Sequence, residues 1–144
     1  MDDARLIENL IYEYAERIDA GDLAGVAEMF RHAVIRAPKQ QHSFNGYDEV
    51  LAMYQSSCRL YPESGTPETR HLTTNVVINV EGDKAASRAV FTVIQATPSF
   101  PLQPIISGRY RDSFSRVNGS WRFTERSMLV DFVGDCSAHL LYTL

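Results

Sequence analysis

An α+β domain, with an antiparallel sheet wrapped against its own helices, is the fold class that three features of this sequence predict. Apolar residues recur at three- and four-residue intervals in the first third of the chain. From Arg70 onward Val, Ile, Thr and aromatic residues dominate every run. Turn residues separate those runs, including an Asn-Gly pair of the kind that closes tight hairpins.

The helices come first. Leu6, Ile7, Leu10, Ile11, Tyr14, Ala15 and Ile18 put one apolar stripe on a helix of roughly Asp3 to Ala20, which Gly21 ends. Asp22 is a ready N-cap for a second, short helix carrying Leu23, Val26, Ala27, Met29 and Phe30. Ala33 to Ala37 and His42 to Phe44 read as short strands. Asn45-Gly46-Tyr47-Asp48 precedes a third helix with Val50, Leu51, Tyr54 and Cys58, and Pro62, Gly65 and Pro67 mark a loop.

The strands follow. Leu72 to Val80 and Ala85 to Thr97 flank Glu81-Gly82-Asp83-Lys84, a short hairpin connection. Pro98, Pro101 and Pro104 interrupt the pattern, so that stretch is expected to be a loop or an irregular edge. Ile105 to Arg116 and Trp121 to Phe132 join through Asn118-Gly119 as a type I′ hairpin. Trp121 and Phe123 have the opposite parity to Arg126, so either the sheet is covered on both faces or a bulge intervenes.

Composition narrows the function. The 144 residues, 44% of them hydrophobic, describe one domain spanning 1–144 and able to bury a continuous core. Fourteen basic against eighteen acidic residues give a formal charge of −4 with no Lys/Arg block, which disfavours nucleic acid and anionic membranes as partners. Met1-Asp2-Asp3-Ala4-Arg5 is acidic where a secretory leader is basic, and no apolar run approaches bilayer length, so a cytoplasmic location is expected. Cys58 and Cys136 are read as small hydrophobes rather than a disulfide framework. His32, His42 and His139 have no second ligand at useful spacing and read as loop or surface residues; no metal is expected, and no Gly-rich phosphate cradle indicates a nucleotide cofactor.

His71, in Thr69-Arg70-His71-Leu72-Thr73-Thr74-Asn75, and Asp19, at the end of the first helix, are the main functional lead. If folding joins them, the carboxylate fixes one imidazole tautomer and stabilises its protonated form, which makes the histidine a general base. Each residue also has a plain reading: Asp19 as a turn former, His71 as a satisfied core histidine, Arg126 as a cross-strand partner of Glu125 or Asp112, Tyr14 as core.

Taken together, the three amino-terminal helices, the Gly-Asp after the first, Thr-Arg-His-x-x-Thr-Asn, Ser107-Gly108-Arg109-Tyr110-x-Asp112 and Gly119-x-Trp121-x-Phe123-x-x-Arg126 resemble the SnoaL-like, polyketide-cyclase branch of the nuclear transport factor 2-like superfamily. Within it the pattern is similar to hexachlorocyclohexane dehydrochlorinase, scytalone dehydratase and bile acid 7α-dehydratase, which perform β-eliminations without a cofactor. The resemblance implies a cone-shaped fold with a deep apolar cavity. It places the family's Asp on Asp19, its His on His71, its Arg on Arg126 and the bile acid enzyme's Tyr on Tyr14. Arg126 is then expected to stabilise an enolate oxygen or receive a departing anion, and Tyr14 to hydrogen-bond a carbonyl.

Two functions of different class follow as expectations. One is a cofactor-independent lyase or isomerase acting on a small hydrophobic cyclic molecule. The other is a noncatalytic small-molecule carrier or oligomer-supporting subunit, as the β subunits of ring-hydroxylating dioxygenases resemble this fold. A homodimer or homotrimer is expected, because an open curved sheet leaves an apolar outer face.

Overall fold

The computed structural model describes residues 2–144, and over that span three α-helices pack on one six-stranded sheet. Helix α1 (Asp3–Asp19) starts where the Asp2 carboxylate accepts the Arg5 backbone N–H, and buries Ile7, Ile11, Tyr14, Ala15 and Ile18, the stripe read from the sequence. Helix α2 (Leu23–Met29) is capped by Asp22, whose carboxylate accepts the Gly25 N–H at 2.9 Å. Helix α3 (Gly46–Ser57) begins with the Glu49 carboxylate accepting the Asn45 N–H at 2.9 Å, which satisfies a backbone donor at the helix start. Cys58 falls just past its end.

Strands β1 (Val34–Ala37), β2 (His42–Asn45), β3 (Thr69–Glu81), β4 (Lys84–Thr97), β5 (Phe100–Val117) and β6 (Ser120–Val133) lie in the order β2-β1-β6-β5-β4-β3. All neighbours are antiparallel except β1 and β6. Register shifts in β3–β4, β4–β5 and β5–β6 supply the irregularities that bend a long-stranded open sheet. Asn118 and Gly119, both at positive φ, close the β5–β6 hairpin as their sequence predicts.

Of the two expectations for the proline-rich stretch, a loop or an irregular edge, the structure has the irregular edge. Pro101 and Pro104 lie within β5, paired to β4 through Ile94–Pro104 and Thr97–Phe100. They are tolerated because β6 pairs with β5 only from Ile106 onward, so Phe100–Pro104 is not paired to β6 and needs fewer backbone donors. The parity conflict in β6 is resolved by a bulge: Ser113 pairs with Glu125 and Phe114 with Phe123, leaving Thr124 unmatched. Trp121, Phe123 and Arg126 consequently all face inward and are all buried.

Tyr14, Phe30, Phe114 and Phe123 join the helices to the concave face; Phe30 stacks on Phe123 with ring centroids 4.7 Å apart. Gly21 is required at the α1–α2 corner. Its φ is +77°, and a Cβ there would meet the Gly65 carbonyl oxygen at 2.1 Å. This close approach of the 62–67 loop sets the start of β3 beside the end of α1. Among the described residues no helix is long and apolar enough to cross a membrane.

Candidate active site

The enclosed side of the sheet holds a cavity of about 780 Å³ between its concave face, α1, α3 and the carboxy-terminal tail. Its lining is chiefly apolar, with Ile18, Ile35, Phe91, Val93 and Met128 among the wall residues, and no Lys, Arg, Asp or Glu of the described residues lines it. His71 and Tyr14 do. A space of this size accommodates a compact ring system.

His71 and Asp19 meet. The last residue of α1 and the third residue of β3 are joined by a 2.6 Å contact between Asp19 Oδ1 and His71 Nδ1. The same carboxylate accepts the His71 backbone N–H on Oδ2 at 2.8 Å and the Thr69 hydroxyl on Oδ1 at 2.9 Å. Side-chain exposure is 7% for His71 and 12% for Asp19, so the contact is largely withdrawn from solvent. A carboxylate only accepts, which requires Nδ1 to carry the proton and leaves Nε2 with its lone pair. Thr69, present in the sequence motif without an assigned role, is thus a positioning residue for Asp19.

Tyr14 crosses the His71 ring edge-on, with centroids 6.2 Å apart, and its hydroxyl shares a 2.7 Å hydrogen bond with that of Tyr54. Whichever hydroxyl accepts in this pair keeps its own hydrogen available. Both tyrosines line the cavity, and the hydrogen not used between them is there for an occupant or for Tyr110. Burial pushes both phenols well above their ordinary range and keeps them protonated. Tyr54 was legible only as part of an apolar helix face.

Arg126 is brought near the others but not into the cavity. Its guanidinium is fully buried and makes a two-pronged ion pair with Asp112, at 2.8 and 2.9 Å. It lies 3.7 Å from the Tyr110 ring centroid and 4.5 Å from that of Tyr14, behind the two rings that form the wall. Desolvation works against the charge, and the Asp112 carboxylate outweighs it, raising the Arg126 pKa. The expected direct contact with a substrate oxygen or departing anion is therefore corrected: the geometry gives the cross-strand pairing with Asp112, and the guanidinium faces Tyr14 and Tyr110 from behind the cavity wall.

A second correction concerns His139. Only 8% exposed, it lines the cavity with its ring centroid 6.3 Å from that of His71, instead of lying on a surface loop. Burial, followed by the charge of His71, pushes its pKa down to about 4. No periodic pattern in the tail signals this placement. His32 and His42 are exposed, the latter at the cavity rim. Among the described residues no three His, Cys, Asp or Glu side chains converge as a metal-binding group.

The model of the SnoaL-like domain family matches residues 1–127. No curated protein matches the chain. Solved structures with the same fold include a nuclear transport factor 2-like protein with a cystatin-like fold from Novosphingobium aromaticivorans, 20% identical over 94% of this chain and 86% of that one, TM-score 0.76. A candidate scytalone dehydratase from the same organism is 22% identical over 98% of this chain and 88% of that one, TM-score 0.73. The β subunit of a candidate aromatic-ring-hydroxylating dioxygenase, also from N. aromaticivorans, is 19% identical over 90% and 89%, TM-score 0.69. At these identities the shared property is the fold.

Proposed function

We propose, from the premise that this chain belongs to the SnoaL-like domain family, that it is a cofactor-independent lyase or isomerase acting on a small hydrophobic cyclic molecule. The observation that carries the reading is the 2.6 Å Asp19–His71 contact at the wall of an apolar cavity. His71 Nε2 removes a proton next to an activating or leaving group, Asp19 stabilises the imidazolium that forms, and the Tyr14–Tyr54 pair donates to the developing oxyanion. Arg126 holds two cavity tyrosines in place and is a positioning residue. The test is a panel of cyclic alcohols, halides and enones, with 5-nitrobenzisoxazole as a chromogenic probe opened by a single proton abstraction. Turnover without added cofactor is expected. Absence of turnover across the panel and of any catalysed benzisoxazole opening would contradict it.

The dioxygenase β subunit among the fold relatives supports a second reading, in which the chain is a carrier or a subunit that supports an oligomer. Such a role gives no reason for a carboxylate-held imidazole at a cavity wall, so the enzyme reading is preferred. In both readings a homodimer or homotrimer is expected. Leu102, Phe132 and Val133 are 69%, 74% and 53% exposed, apolar surface that association would cover. Light scattering at micromolar concentration should give a multiple of the chain mass; a monomer would exclude this.

A further inference from the structure

The tail that follows β6 lies beyond residues 1–127, where the family match ends, and it is bolted to the rest of the molecule around one side chain. The Ala138 carbonyl accepts from the Tyr61 hydroxyl at 2.5 Å and from Gln95 Nε2 at 2.9 Å. The His139 carbonyl accepts the Arg59 N–H at 2.9 Å, and the Leu141 N–H donates to the Ser57 carbonyl at 2.9 Å. Gln95 is itself 1% exposed and holds the Pro67 carbonyl as well, so the tail and the loop ahead of β3 share one clamp. These bonds fix the backbone on both sides of His139.

The imidazole so held is itself incompletely satisfied. Nδ1 is buried with no hydrogen-bond partner among the described residues, while the ring lines the cavity. A buried N–H without an acceptor is rarer than a buried lone pair without a donor, so the single proton of the neutral ring belongs on Nε2. At neutral pH the ring stays uncharged, because burial and then the charge of His71 both hold its pKa down. The two rings that line the cavity thus differ in kind, His71 with a lone pair on Nε2 and His139 with its proton there, their ring centroids 6.3 Å apart.

We infer that His139 is the substrate-binding imidazole of this cavity, an uncharged N–H donor to the oxygen of a neutral cyclic ketone or alcohol whose proton His71 removes. The inference rests on the proposed lyase or isomerase reading and adds the substrate class. A halide is a poor acceptor for such a donor, and a carboxylate-bearing ligand finds no cation in the lining. In a dehydration the C–H electron pair becomes the new double bond and the C–O pair leaves on oxygen, which the His139 N–H stabilises. The proton held by His71 then passes to that oxygen, so water departs and both rings end uncharged. Use of a neutral histidine as hydrogen-bond donor is an established catalytic pattern.

The test is calorimetric binding of 1-tetralone and of tetralin, which differ by one acceptor oxygen, to wild type, His139→Phe and His139→Asn. Wild type should bind the ketone about tenfold more tightly than the hydrocarbon, the gain expected for one hydrogen bond made in a dry site. His139→Phe should lose most of that preference, the remainder being what the Tyr14–Tyr54 pair supplies, while still binding tetralin, and His139→Asn, which retains an N–H donor, should recover part of what is lost. A His139→Phe protein that keeps the full ketone preference, or a His139→Asn protein no better than Phe, overturns the inference. Should Phe at 139 abolish tetralin binding through loss of the fold, the Asn variant alone decides: a retained preference supports the inference and a lost one overturns it. Because no turnover is measured, failure of the lyase or isomerase reading is recorded separately, by the proton-abstraction panel.

Discussion

His71→Ala is expected to lower the rate on any substrate, or on 5-nitrobenzisoxazole, by about 10²–10⁴-fold, the contribution of a positioned general base. Folding should survive, because the carboxylate of Asp19 keeps two of its three donors, the Thr69 hydroxyl and the backbone N–H of residue 71. Asp19→Asn is the sharper experiment. One carboxylate oxygen faces a backbone N–H and the other faces His71 Nδ1, so an amide placed there must oppose its NH₂ to one of them. If it faces Nδ1, the imidazole proton moves to Nε2 and the base is lost; if it faces the backbone, a buried N–H is left unsatisfied. A loss of roughly 10²-fold or more is expected, consistent with the effect of fixing the wrong tautomer in other histidine-dependent sites. Kinetics of the two purified variants, with circular dichroism to confirm folding, check this; a His71→Ala protein at full rate removes the mechanism.

What was legible in the sequence follows from how local each signal is. The α1 stripe and the Asn118-Gly119 hairpin depend on neighbours a few residues away, and both stand in the structure where periodicity and turn chemistry put them. The approach of Asp19 to His71 depends on Gly21 letting the 62–67 loop pass over the end of α1, a contact spanning more than forty positions that no window contains. There the family resemblance supplied what periodicity lacked. The same limit explains what stayed open and what was missed. Thr124 breaks the alternation of β6, and from parity alone a bulge and a two-sided sheet are equivalent. Pro101 and Pro104 look like sheet breakers unless it is known that β6 ends its pairing at Ile106. His139 sits in a tail without regular structure, placed by Gln95, Tyr61 and Arg59 from three separate parts of the chain.

Arg126→Met is expected to destabilise the fold by about 3–5 kcal/mol, the cost of leaving one member of a buried ion pair without the other. Asp112 and Arg126 are paired across β5 and β6, next to the bulge, and both side chains are fully withdrawn from solvent. Methionine fills much of the arginine volume, so the loss is dominated by the stranded Asp112 carboxylate, with a smaller share from the rings of Tyr110 and Tyr14 that the guanidinium faces. The double variant Arg126→Met with Asp112→Leu separates these terms. Removing both charges abolishes the desolvation penalty as well as the attraction, so most of the stability should return. Catalysis should not return with it, because the cation that orders two cavity tyrosines is still missing. Urea unfolding of the single and double variants, followed by turnover of the refolded double variant, measures the two effects independently. If Arg126→Met is as stable as wild type, the buried pair is not what holds β5 to β6 at this point. If the double variant regains stability and full activity together, Arg126 has no positioning role in the cavity wall.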